Sequence, residues 1–265
     1  MAENGLVKTK LENRVFHLTL NRPEKRNALS VEMLHAISSA LEAADGNKEA
    51  RTIVISAEGP VFSSGHDLKE LTEARAKPDQ GRAFFDQTMR LCSATMQQIV
   101  NHRLPVIAKV RGTASAAGCQ LVATCDLAIA AESAKFITPG VNIGLFCSTP
   151  MVALSRNVAN KHALEMLLTG EPCSAIKAAE IGLINKAVPD NDLDATVQAY
   201  TDRIAAKSLM TLKTGKQAFY QQVQMPLSEA YDYCASVMVE NMLKRDAEEG
   251  IGAFLEKREA EWQDE

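Results

Sequence analysis

Up to about residue 190 this chain switches back and forth between two hydrophobic periods, and that switching limits its fold more than any other feature. Residues 14–20 alternate, with Phe16, Leu18 and Leu20 on one side, as a half-buried strand does. Residues 52–56, 105–110 and 126–131 are short runs of β-branched or small apolar residues, the composition of buried strands. Between them the period turns helical. Ser30 stands where it can cap a helix bearing Leu34, Ile37, Leu41 and Ala44. Phe85, Met89, Cys92, Met96 and Ile99 mark one face of a longer helix. From Asn160 onward the pattern is mostly helical, over 162–168, 175–181, 193–206, 211–222 and 227–244, with Gly182 and Gly250 as expected stops or turns. The expectation is an α/β fold: a mixed core over residues 1–190 and a helical region over 191–265. That region is either a small separate lobe or a cover on the same core. No Ser/Gly-rich linker, low-complexity tract or strong internal repeat interrupts the chain.

Several function classes drop out on composition. A 265-residue chain that is 46% hydrophobic and 23% charged buries a real core. Its net charge of -4 gives no electrostatic footprint for nucleic acid, although a few local basic groups suffice for a phosphorylated cofactor. The six cysteines, Cys92, Cys119, Cys125, Cys147, Cys173 and Cys234, form no CxxC pair and fit neither a zinc site nor a disulfide framework. Buried free thiols in a reducing compartment are expected. No run approaches the roughly 18 to 20 apolar residues of a membrane span. The first ten residues lack the apolar core of a signal peptide and are not Arg-rich, so the expected location is cytoplasmic, with a mature organellar chain reading the same way.

Chemistry concentrates in two segments with few bulky side chains. They are Phe62-Ser63-Ser64-Gly65-His66-Asp67-Leu68 and the stretch from Val110 to Leu121, Val110-Arg111-Gly112-Thr113-Ala114-Ser115-Ala116-Ala117-Gly118-Cys119-Gln120-Leu121. Both follow buried strands and lead toward helices, an arrangement that leaves backbone N–H groups free at an accessible point. Small side chains let a ligand approach that backbone closely, though mere packing produces the same composition. Two such donors converging on one oxygen make an oxyanion hole, each worth on the order of 3 kcal/mol to a transition state.

The order of motifs along the chain resembles the crotonase superfamily, also called enoyl-CoA hydratase/isomerase. The resemblance rests on Asn21-Arg22-Pro23 with Asn27-Ala28-Leu29, on the Phe62–Leu68 segment, and on Gly118-Cys119 followed by Cys125-Asp126. It continues through Phe136 with Pro139, Ile143-Gly144, Leu168-Thr169-Gly170, Ala178-Ala179 with Gly182-Leu183, and Phe254 with Lys257-Arg258, covering about residues 6 to 262. Within the superfamily, the stretch from Thr138 to Pro150 is most similar to the group called enoyl-CoA hydratase domain-containing protein three.

The resemblance implies a crotonase-like spiral of ββα turns, a helical C-terminal region that serves oligomerisation and covers the active site, and trimers that often pair into hexamers. It also implies a coenzyme A thioester as substrate or ligand. By motif position, the N–H groups of His66 and Ala117 form the oxyanion hole. Lys25, Arg26 and Ala28 line the adenine and ribose-phosphate pocket, and Ser64 and Leu68 flank the pantetheine path with Lys69 just beyond. Phe254 and Lys257 complete the nucleotide site of a neighbouring subunit. Solvated surface charge is the plain alternative for Lys25, Arg26, Lys69 and Lys257.

At the two positions where a hydratase carries glutamates this chain has Gln120 and Gly140, and at a third position used by some relatives it has Ser148. An amide does not exchange protons near neutral pH as a carboxylate does, and glycine offers nothing. Hydration, isomerisation and dehalogenation by the family mechanisms are therefore not expected to carry over. Gln120 remains able to orient a water, and Cys147 or Ser148 to act as a nucleophile if a base stands beside it. Small packing residues are the plain reading of Cys119 and Cys147. His66 is singled out for its N–H, with its ring free to face solvent. Asp67 is expected to brace the loop, and His17, His35, His102 and His162 to be structural.

Overall fold

The computed structural model describes residues 5–265. Its elements, in chain order, are β1 (Val7–Glu12), β2 (Val15–Leu20), α1 (Val31–Gly46), β3 (Thr52–Ala57), β4 (Val61–Ser63), α2 (Leu68–Ala74), α3 (Arg82–Asn101), β5 (Val106–Val110), β6 (Thr113–Ser115), α4 (Ala117–Thr124), β7 (Leu127–Ala131) and β8 (Lys135–Ile137). There follow α5 (Ser148–Leu154), α6 (Asn160–Thr169), β9 (Cys173–Ser174), α7 (Ala175–Glu180), β10 (Lys186–Val188), α8 (Leu193–Ala205), α9 (Leu209–Gln222), α10 (Leu227–Met242) and α11 (Arg245–Glu256).

The strands form two sheets, a six-stranded one in the order β1-β2-β3-β5-β7-β10 and a four-stranded one in the order β4-β6-β8-β9. Each pair β3–β4, β5–β6 and β7–β8 places one strand in the large sheet and the next in the small one, and helices then carry the chain to the following pair. This is the expected spiral of ββα turns. Strands of successive turns lie parallel: β2 with β3, β3 with β5, β5 with β7 and β7 with β10 in the large sheet, β4 with β6 and β6 with β8 in the small one.

Side-chain alternation explains why the large sheet is covered on both faces. Ile53 and Ile55 of β3 point into the main core with Leu34, Ile37 and Leu41 of α1. Val54 points the other way, with Val15, Ile107 and Ile129, and is covered by Leu193 and Val197 of α8. Ser30 caps α1 as expected, its hydroxyl accepting the Met33 N–H at 3.1 Å.

Sequence reasoning missed several elements. The edge strand β1 carries mostly polar, partly exposed residues, so its only signal is its antiparallel pairing with β2. Strands β4, β6 and β8 have three residues each, too few to show a period. The segment of small residues from Val110 to Leu121 contains β6 and the start of α4. Gly250 is not a stop. It lies within α11, where a Cβ would stand 3.0 Å from the Trp262 ring, so its small size serves packing.

Two buried ionic devices fix the C-terminal helices to the sheets. Asp126, just before β7, accepts the Val106 N–H and the Lys216 ammonium at 2.7 Å each, and the Tyr220 hydroxyl at 2.9 Å. Lys216 also donates to the carbonyls of Ile99 and Leu104, both at 3.0 Å. The final residues form a clasp: Asp264 pairs with Arg51 at 2.6 Å and accepts the Leu209 N–H, Trp262 donates to the Ala206 carbonyl, and buried Asp246 accepts the N–H groups of Gln263 and Asp264.

Candidate active site

Because β4, β6 and β8 are adjacent and parallel, their C-terminal ends lie in one row at an end of the small sheet. In parallel α/β sheets the crevice outside these ends is where ligands bind. The residues just past them are Ser64-Gly65-His66, Ala116-Ala117 and Thr138-Pro139-Gly140.

Two glycines bring the first two turns into contact. Gly65 has φ +88°, and a Cβ there would lie 2.8 Å from the Ala116 Cβ and 3.0 Å from the Ser115 carbonyl oxygen. Gly118 packs on the end of β4, where a Cβ would fall 2.6 Å from the Ser63 carbonyl oxygen. No side chain fits at either place, so the Gly65 backbone lies against Ser115–Ala117 and that of Gly118 against Ser63. Ala116 adopts φ 49° and ψ -116°, and its turn starts α4 at Ala117. Among the described residues neither the His66 N–H nor the Ala117 N–H has a protein acceptor.

The polar loop before α1 is stitched to the same turn. Asn27, fully buried, donates to the carbonyls of Glu58 and Val61 and accepts the Arg22 N–H. Ser64 N–H donates to the Arg26 carbonyl at 3.0 Å, and Leu29 N–H to the Gly65 carbonyl at 2.7 Å. Lys25 and Arg26 are exposed beside this seam, and Ala28 is buried within it. Leu68 and Lys69 open α2, capped by Asp67, whose carboxylate accepts the Lys69 N–H at 2.9 Å; both side chains are exposed. Phe254 and Lys257 lie on the exposed face and at the end of α11, and among the described residues no hydrogen bond or ion pair joins them to the Lys25 loop.

The His66 ring does not face solvent. Its nitrogens are buried, with Nδ1 3.3 Å from the Leu29 carbonyl oxygen and Nε2 without a partner among the described residues. Burial holds its pKa below the ordinary histidine value, which favours the neutral ring. Gln120, one turn into α4, is 4% exposed, and its Oε1 has no partner among the described residues. Thr138, which the sequence did not single out, is fully buried with an equally unpartnered hydroxyl. A threonine directly between a strand and a proline was its only signal.

Gly140 is buried in the 3₁₀ turn Pro139–Ile143, and a Cβ there would meet the Cys147 sulfur and the Leu145 carbonyl oxygen, each at 3.0 Å. Burial pushes the Cys147 thiol up and the Cys119 thiol up to about 12, the opposite of what a thiolate nucleophile requires. Ser148 is exposed, its hydroxyl 3.4 Å from the Phe146 carbonyl oxygen, and neither a histidine nor a carboxylate is among its hydrogen-bond partners. His102 is structural as expected: its Nε2 lies 3.1 Å from the Leu41 carbonyl oxygen and its Nδ1 accepts the Leu104 N–H.

The family model described as Enoyl-CoA hydratase/isomerase matches residues 10–265. The chain is 50% identical over 252 residues to the human enoyl-CoA hydratase domain-containing protein 3, mitochondrial, covering 95% of this chain and 81% of that protein. Among solved structures, it is similar to the crystal structure of that human protein, at TM-score 0.92 and 46% identity, covering 97% of this chain and 100% of that one. A Mycobacterium smegmatis enoyl-CoA hydratase structure matches at TM-score 0.93 and 44% identity, over 98% and 99% of the two chains.

Proposed function

The chain belongs to the enoyl-CoA hydratase/isomerase family, and on that footing we propose that it binds acyl-CoA thioesters and polarises their carbonyl between the N–H groups of His66 and Ala117. The observation that carries this reading is the pair itself: two backbone donors without protein acceptors, on adjacent strand ends pressed together at Gly65, one of them opening a helix. The partial positive charge at the start of α4 adds to the field on a developing oxyanion. Lys25 and Arg26, on the loop stitched to Ser64 and Gly65, are set to meet the nucleotide phosphates, with Ala28 against the adenine. Ser64 and Leu68 follow the pantetheine, and Lys69 lies beyond them.

Hydration in the family manner is not part of this proposal. Gln120 and Gly140 stand where two glutamates act, and general acid–base catalysis is worth about 10²- to 10⁴-fold. Reactions that need mainly oxyanion stabilisation fit what remains: decarboxylation, thioester hydrolysis or slow residual hydration. The second reading is a non-catalytic acyl-CoA binder, favoured by the loss of both carboxylates. We also infer a homo-oligomer, a trimer or a dimer of trimers, in which the 191–265 region covers a neighbour's site through Phe254 and Lys257. Helix α10 supports this: none of its residues is buried within the chain, yet it exposes Leu227, Tyr231, Met238, Val239 and Met242, with Leu243 exposed just past its end. Five buried free cysteines support a reducing compartment. The human relative is named mitochondrial, which sets an organellar location beside the cytoplasmic expectation.

Calorimetric titration with crotonyl-CoA, with the same sample assayed for hydration and CoA release, tests the proposal. Binding with no turnover supports the binder or an enzyme for another acyl group. Clear hydration shows that groups other than Gln120 and Gly140 handle the protons. Failure to bind either crotonyl-CoA or free CoA overturns the ligand assignment.

A further inference from the structure

We propose that Ala116 is a positioning residue for the two backbone donors, a strained spacer whose backbone aims the Ala117 N–H and whose methyl group sets its distance from the His66 turn. This inference deepens the acyl-CoA reading above and rests on it. Ala116 has φ 49° and ψ -116°, outside the main regions open to residues with a β-carbon and at ease only for glycine. Such a conformation persists only where the surroundings over-determine it. Here they do so from both sides of the Cα. The Ala116 N–H donates to the Ile137 carbonyl at 2.8 Å, which ties it to the end of β8, and the Ala116 carbonyl accepts the Gln120 N–H at 3.0 Å inside α4.

A trans peptide is planar, with its C=O and N–H pointing in opposite directions. The Ala116 carbonyl and the Ala117 N–H share one such plane. Because the carbonyl is drawn into α4, the N–H is turned outward from the start of the helix. The two hydrogen bonds thus aim the donor, at the cost of the strain at Ala116. Glycine at this position would carry no strain, so the methyl group calls for its own account. Ala116 is half-buried, and its methyl lies against the neighbouring turn. A Cβ on Gly65 would stand 2.8 Å from the Ala116 Cβ and 3.2 Å from the Ala117 nitrogen. The methyl therefore fills the gap between the two residues that precede the donors, and it keeps the Gly65 turn from closing on the Ala117 peptide. Spacing matters here, since a misplacement of about 1 Å can cost on the order of 10²-fold in rate.

The test is isotope-edited infrared spectroscopy of butyryl-CoA labelled at the thioester carbonyl and bound to the wild-type protein or to Ala116→Gly, with a thermal scan and a calorimetric titration of free CoA on each. Two donors on the carbonyl oxygen lower its stretching frequency below that of the free thioester. In Ala116→Gly that lowering is expected to shrink by about half or more, as the misplacement of one of two donors requires. Free CoA should bind both proteins equally, and the melting temperature of the variant should stay level or rise, because glycine accepts the backbone angles of Ala116 without strain. A lowering present in the wild type and unchanged in Ala116→Gly overturns this inference and leaves the acyl-CoA reading standing. A melting temperature that falls in Ala116→Gly also overturns it, since the methyl is then a packing group. Bound butyryl-CoA with no lowering in the wild type overturns the donor pair itself, and no binding of butyryl-CoA or free CoA overturns the ligand assignment with it.

Discussion

Replacing Lys216 with methionine removes a buried cation while keeping most of its stem volume, so the loss measures the ionic cluster itself. Three bonds disappear: one to Asp126 at 2.7 Å and two to the Ile99 and Leu104 carbonyls at 3.0 Å. The Lys216 side chain is 7% exposed and that of Asp126 15%. Leaving one member of such a pair uncompensated costs about 3–5 kcal/mol. Asp126 keeps the Val106 N–H, the Tyr220 hydroxyl and a little solvent, which places the cost at the lower end, about 3 kcal/mol. For a chain of this size that corresponds to a Tm lower by roughly 6–12 °C. Urea unfolding and a thermal scan measure it. Asp126→Asn in the same background removes the stranded charge, so the double variant should be more stable than the sum of the single losses requires. A Tm within about 2 °C of wild type for Lys216→Met, or strict additivity in the double variant, refutes the reasoning.

Three further outcomes follow from the site and the core. Installing carboxylates with Gln120→Glu and Gly140→Glu should raise crotonyl-CoA hydration by about 10²-fold or more, and a double variant that binds acyl-CoA yet stays inert shows that these positions are misassigned. Gly140→Glu alone should lower thermal stability, because its Cβ crowds the Cys147 sulfur, and Cys147→Ala should return part of the loss. Burial keeps the folded pKa of His102 below the ordinary value, so the unfolded chain takes up its proton first on acidification. The stabilisation is complete above about pH 6.5 and is lost as pH falls through the lower folded value. Urea titrations at pH 7.5 and 5.5 should show this decline, flattened in His102→Gln, whose amide can bond the same Leu41 and Leu104 groups.

What could be read from the sequence follows from where the physical signal is local. Strands β3, β5 and β7 announce themselves because both faces are largely buried and most of their residues are apolar. Helix α1 is legible from its Ser30 cap and its period. The small-sheet strands are not, since three residues cannot display alternation and their identity depends on neighbours from other turns of the spiral. The same division holds at the site. Gly65, Ala117 and Gly118 stand out because close backbone approach excludes side chains, whereas Thr138 is an ordinary residue until its burial and lack of a partner are known. Asp126 was visible only as part of a motif; its partners Val106 and Lys216 lie 20 and 90 positions away.

The clasp between Arg51 and Asp264 joins residues 213 positions apart. During synthesis the strands of the large sheet emerge and pair before Asp264 exists, so this contact closes at the end of assembly. The entropy of closing so long a loop grows only slowly with length, and it falls further once the intervening spiral is folded. Interactions made this late belong to the native side of the folding barrier, where their loss speeds unfolding and leaves the folding rate alone. The fastening also decides how force travels: tension applied at residue 265 meets the start of the last helix, at Arg245 and Asp246, together with the flank of β3.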